Sequence, residues 1–173
     1  MLPPLSEPTT TRIFTLGMVP SVALRTFRYE SDLIRRGWVL RKSLTSRTTS
    51  PIIPSEKPDD WMVRCTYRLI RSLIGKGHTA ILDDEIRHLG IVERGSNNLA
   101  DQPFKKALLI MFGSTQSEPT RLTRNRRYEL GNAMAYAEAH RVPSKYVNGF
   151  IKTVGLKKCA SKLAEEFKEP GFD

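Results

Sequence analysis

Acidic residues are in short supply: 18 Asp and Glu stand against 28 Lys and Arg in 173 residues, a formal net charge of +10. With a pI near 9.9, the chain attracts polyanions, so nucleic acid or an anionic membrane surface is the partner class the balance favours. Cysteine is scarce as well, with two in the chain. Cys65 and Cys159 lie far apart, in no CxxC pair and in no Cys/His cluster. That excludes the usual structural zinc arrangement and gives no sign of a disulfide framework. Both fall on the apolar side of a helical pattern, where a free cysteine acts as a small buried hydrophobe. A reducing, intracellular compartment, cytoplasmic or nuclear, is the expectation.

Long apolar runs are missing too. Nothing approaches the roughly 18 residues that a membrane-spanning helix requires, so any contact with an anionic membrane is expected to be peripheral. Met1–Pro4 does not begin a secretion signal, which needs basic residues followed by a continuous apolar core. The opening is rich in Arg, Ser and Thr and poor in acids, which leaves a mitochondrial destination as an alternative. Pro3, Pro4, Pro8 and Pro20 argue against it, because they break the amphipathic helix such a leader needs.

The motifs of common enzymes are not there. No P-loop, dinucleotide fingerprint or nucleophile elbow occurs. His78, His88 and His140 match no metal-ligand spacing. Asp83-Asp84-Glu85 is acidic, but consecutive residues on a helix point in different directions and form no convergent pair. A solvated helix face is the expectation for that run. No catalytic residue, metal or cofactor is assigned, and the chain is read as non-enzymatic.

What is present is a neutral middle between two basic ends. Residues 1–58 hold 9 basic and 4 acidic side chains, residues 59–118 hold 8 and 8, and residues 119–173 hold 11 and 6. The first of these segments carries seven prolines and a Ser/Thr-rich run, so it reads as a largely irregular basic arm. Within it, residues 21–44 supply either a helix or two strands, because the apolar periodicity is mixed. Pro51-Ile52-Ile53-Pro54 reads as an extended linker. In composition this Ser/Thr/Arg/Pro-rich opening, joined to a helical body, resembles a small virus-encoded accessory or structural protein.

From residue 59 to 173 the pattern is helical, and a mostly α bundle of five or six short helices is expected. Asp59 or Asp60 caps a first helix whose apolar stripe runs from Trp61 to Ile74, ending at Gly75 and Gly77. Thr79 caps a second, with Gly90 as its stop. Asp101 caps a third over Phe104–Phe112, with Pro103 in its first turn. A fourth begins at Pro119 and carries Ala133, Ala135, Ala137 and Ala139, small residues that permit close helix packing. Ser144 caps a fifth, and Gly155 breaks the chain into a sixth.

Arg121, Arg124, Arg126 and Arg127 carry the functional expectation. Four arginines within seven residues, with no acid among them, repel one another unless a counter-charge is near. Guanidinium forks bind phosphate in bidentate fashion, so a row of them on one helix can follow a phosphate backbone. The competing explanation is a solvated face offset by Glu118 or Glu129. Arg64, Arg68 and Arg71 form a second row, and Lys157, Lys158 and Lys162 a third cluster around the Gly155 turn. Tyr128 is placed to stack on a base. The expected activity is therefore binding of nucleic acid, RNA before DNA, with little sequence preference. A different class stands beside it: a protein–protein adaptor or homo-oligomeric assembly subunit, using an exposed apolar patch at Phe104–Phe112 or Phe150–Val154.

Overall fold

The computed structural model describes residues 21–46, 56–92, 99 and 102–171. Every regular element among them is helical, as the apolar periodicity predicts. The elements are α1 (Val22–Ser46), α2 (Pro58–Gly75), α3 (Ala80–His88), α4 (Pro103–Phe112), α5 (Arg124–Ala139), α6 (Val147–Val154) and α7 (Lys158–Ala164), with a 3-10 turn at Ser144–Tyr146 before α6. Helices α2, α4 and α5 touch one another at the centre; α1 and α3 pack on one side of them, α6 and α7 on the other.

The first correction concerns the arm. Val22–Ser46 is one long helix that buries Leu24, Phe27, Ser31, Ile34 and Trp38. Its start is marked by Ser21, whose hydroxyl accepts the Leu24 amide at 3.2 Å. The boundary expected at residue 58 therefore does not divide the core, because these side chains join the same apolar cluster as α2 and α4. Trp38 stands edge-on to Phe112, with ring centroids 5.4 Å apart, and its indole N–H donates to Asp59 at 2.9 Å. The periodicity of 21–44 is mixed because α1 carries a second apolar stripe: Val22, Tyr29, Leu33 and Leu40 are exposed. The Pro51–Pro54 linker and the Asp101 cap lie outside the described residues.

Helix α2 begins with Pro58 at its first position, where a missing N–H is harmless, and with Asp59 and Asp60 at the positive end of its dipole. It buries Met62, Val63, Cys65, Thr66, Tyr67, Ile70 and Leu73. Apart from Lys105 and Lys106, helix α4 is apolar and buried from Phe104 to Phe112. That removes Phe104–Phe112 as a docking patch. Ile151 and Val154 are likewise core, with Phe150 packed against it.

In the acidic run Asp83 and Asp84 are exposed, as expected of a solvated face, and Glu85 is the departure. Asp83 pairs with Lys106 at 2.7 Å, Asp84 with Arg87 at 2.5 Å, and Glu85 is buried against Arg28 of α1. The fork is bidentate, with Arg28 Nη2 and Nε at 2.6 and 3.0 Å from the Glu85 carboxylate. That hydrogen bond holds the Arg28 guanidinium pKa above its ordinary value, against the opposing effect of desolvation.

Gly37 tests the packing of α1 on α2. A Cβ there would stand 2.4 Å from Cη2 of Trp61. Helix propensity alone makes Gly→Ala stabilising by about 1 kcal/mol, whereas overpacking costs about 1–3 kcal/mol. Urea unfolding of Gly37→Ala is expected to show a net loss of stability. The same substitution made in a Trp61→Leu background is expected to become neutral or stabilising.

Candidate functional site

The basic cluster is built on the start of α5. That helix begins at Arg124 rather than at Pro119, because Thr123 takes the cap position and its hydroxyl accepts the Arg126 amide at 3.3 Å. Arg121 therefore sits in the preceding loop, exposed, and the i, i+3, i+6 row does not form. Successive helical residues turn by about 100°, and the remaining arginines separate accordingly. Arg127 points inward and is 4% exposed; its Nη1 donates to the Leu122 carbonyl at 2.6 Å, pinning the loop that leads into the helix. Arg126 leans toward α2 and α6, with Glu129 at 3.8 Å. Arg124 is exposed and lies 5.5 Å from the centroid of Tyr128.

The other two clusters divide in the same way. Arg64 makes a fork on Glu56 at 3.0 and 2.7 Å, which holds its pKa above the ordinary arginine value. Arg71 binds Glu138 at 2.5 Å and the Val142 carbonyl at 3.0 Å. Arg68 is exposed. Lys157 and Lys158 are exposed, while Lys162 is taken up by Glu169. Arg64, Arg71, Arg127 and Lys162 thus hold the fold together. Arg68, Arg121, Arg124, Lys157 and Lys158 face solvent, and Arg126 is intermediate.

Two of these groups meet in a groove. Between α5 and the start of α7 lies a hollow of about 490 Å³, lined by Arg124, Asn125, Tyr128, Glu129 and Asn132 on one wall and by Leu156, Lys157 and Ala160 on the other. Gly155, at φ +94°, makes the bend that presents Lys157 there. At Asn132 and Ala160 the groove continues into a more apolar hollow of about 340 Å³, walled by Phe104, Ala135 and Leu163.

Lys105 stands at the junction, a residue not singled out from the sequence. Its ammonium is 4.9 Å from the Tyr128 ring, on which Arg124 also rests. Burial pushes its pKa down. Gly131 makes room for its stem, since a Cβ at that position would come within 2.5 Å of Lys105 Cγ. A signal for it was available: a lysine in the first turn of a helix opposes the dipole, and α4 begins with Lys105 and Lys106 and no acid. Gln102, which lines the apolar hollow, has a side-chain oxygen that is buried with no hydrogen-bond donor.

Comparisons with protein-family models, curated proteins and solved structures find no match for this chain. Its chemistry is therefore read from its own residues. The arrangement offers fixed positive charge, one aromatic ring and an apolar recess. Outside the groove, burial pushes the thiols of both Cys65 and Cys159 up in pKa, away from the reactive thiolate.

The α7 wall is held by a second network. The Tyr136 hydroxyl is shared between the Phe167 carbonyl and Glu169, both at 2.9 Å, and the Glu169 amide donates to His140 Nε2 at 2.8 Å. Hydrogen bonds from Lys162 and then Tyr136 hold the Glu169 carboxyl below the usual carboxylate range. A depressed folded-state pKa contributes stability that is complete above the ordinary glutamate value of about 4.3 and is lost as pH falls below it. Thermal melts of Glu169→Gln are expected to fall below those of the parent at pH 7 and to converge with them near the acid end.

Proposed function

We propose that the protein is a non-enzymatic, single-strand nucleic-acid-binding protein, with RNA as its ligand. Its phosphate backbone would run along the α5–α7 groove. Arg124 and Lys157 contact phosphates, the exposed Arg121 and Lys158, near them in the chain, add to the positive field, and Tyr128 offers a ring on which a base stacks. The observation that carries this reading is the convergence of Arg124, Tyr128 and Lys157 in one open groove. Binding of single strands commonly combines such a charged track with an aromatic platform, and the stacking is worth about 1–3 kcal/mol per base.

Duplex reading by a recognition helix is disfavoured by burial. Helix α5 packs against α2, α4, α6 and α7 and has no free length to lay in a major groove. Single strands in cells are mostly RNA, which is the ground for preferring it. Backbone contacts of this kind position without specifying, so sequence preference would be slight.

A salt titration of binding to a labelled single-stranded RNA tests the reading. Log affinity falls with log salt by about 0.7 per phosphate neutralised on a single strand. Arg124→Ala with Lys157→Ala is expected to flatten that slope by about 1.4, two phosphates' worth. Tyr128→Ala lowers affinity at constant slope, because stacking releases no counterions. Arg68→Ala, on the exposed face of α2 and outside the groove, leaves both unchanged. A flat salt response in the parent protein overturns the proposal.

A further inference from the structure

The long helix α1 has two apolar faces, and the fold uses one of them. On the inner face Leu24, Phe27, Ile34 and Trp38 join the core. On the outer face Val22, Tyr29, Leu33 and Leu40 are 70%, 65%, 45% and 60% exposed. At 100° per residue these four fall within about 40° of one another, a straight stripe about 27 Å long. Half of the large hydrophobic side chains exposed among the described residues lie on it.

The spacing of the stripe is that of a coiled-coil seam. Thr26, Leu33 and Leu40 occupy one heptad position and Val22, Tyr29 and Arg36 the other. Arg36, the one charge on the seam, is neutralised within its own helix by Asp32 at 2.8 Å. Arg25 and Glu30 flank the seam on opposite sides, and neither has an ion-pair partner among the described residues. They are five residues apart, which is the offset at which flanking charges of two parallel helices meet. In a parallel pair each Arg25 would face Glu30 of the second copy, twice over. An antiparallel pair centred on the stripe would set Glu30 against Glu30 and Asp32 against Asp32.

From this register and this charge complementarity we propose that α1 is a self-association face, on which two copies of the chain join as a parallel two-fold dimer. The seam is short beside a standard protein interface, so the dimer is reversible and forms in the micromolar range. It is independent of the nucleic-acid reading, because none of the groove residues lies on α1.

Nuclease-treated full-length protein, followed by sedimentation velocity across micromolar concentrations, tests it. The parent is expected to pass from monomer to dimer as concentration rises. Leu33→Glu with Leu40→Glu is expected to remain monomeric throughout; both side chains face solvent in the monomer, so its helical circular dichroism and melting should match the parent. Arg25→Glu should weaken the dimer by about tenfold through two like-charge contacts, and adding Glu30→Arg should restore it. A parent that stays monomeric, a dimer indifferent to charge on the stripe, or a charge swap that fails to restore association would each overturn the proposal.

Discussion

The Tyr67 hydroxyl sets the geometry on which the other helices rely. It donates to the Val142 carbonyl at 2.8 Å, with the Glu138 carboxylate a second acceptor at 3.2 Å, and Arg71 binds the same two groups from the next turn of α2. The partners are more than 70 residues apart in the chain, and the junction is buried beside the stacked rings of Tyr67 and Phe104. Burial pushes the Tyr67 pKa well up, with the Glu138 charge adding to it, so the hydroxyl keeps its proton and its role as donor. Leaving the Val142 carbonyl or the carboxylate unmatched at this depth would cost about 1–3 kcal/mol per group. The junction fixes where α5 ends against α2. Because α5 is rigid, it also fixes which way the opposite end of that helix turns its arginines.

The positive surplus is distributed by the same logic. A chain with ten more cations than anions has carboxylates for only part of its basic residues. Four carboxylates go to cations partly withdrawn from water, where an unpaired charge is costly: Glu85 to Arg28, Glu56 to Arg64, Glu138 to Arg71, Glu169 to Lys162; Asp32 and Asp84 instead pair with exposed arginines of their own helices. Of the exposed cations, Arg124 and Lys157 line the groove, where water screens their mutual repulsion. Arg127 follows a different rule, satisfying a loop carbonyl. Density of arginine in the sequence was thus a fair sign of a basic region and a poor guide to which side chains are available.

Legibility followed the strength of the apolar period. Helices α2 and α6 are readable because one apolar stripe is set against a polar remainder, and α4 because the run from Ala107 to Phe112 is apolar without a break. Helix α1 was ambiguous because it is apolar on opposite faces, which cancels the contrast that marks an amphipathic helix. Local signals put the start of α5 five residues early, since Pro119 and Thr123 are both good start signals and the cap bond to the Arg126 amide favours the second. Lys105 is not legible locally because its partner is a ring on α5, 23 residues away in the chain. Nothing local to Glu85 announces that Arg28 lies across from it.

By itself the sequence determined the helical class, the stretches that form α2, α3, α4, α6 and α7, the burial of the cysteines and the basic character, since each depends on neighbours within a few turns. Tertiary structure alone decided which cations pair, that Arg127 turns inward, that Arg124, Tyr128 and Lys157 share a groove, and that α1 belongs to the core. The reason is range. Capping, periodicity and propensity act over a few residues, whereas pairing a charge or closing a groove depends on which distant segments the packed core brings within 4 Å.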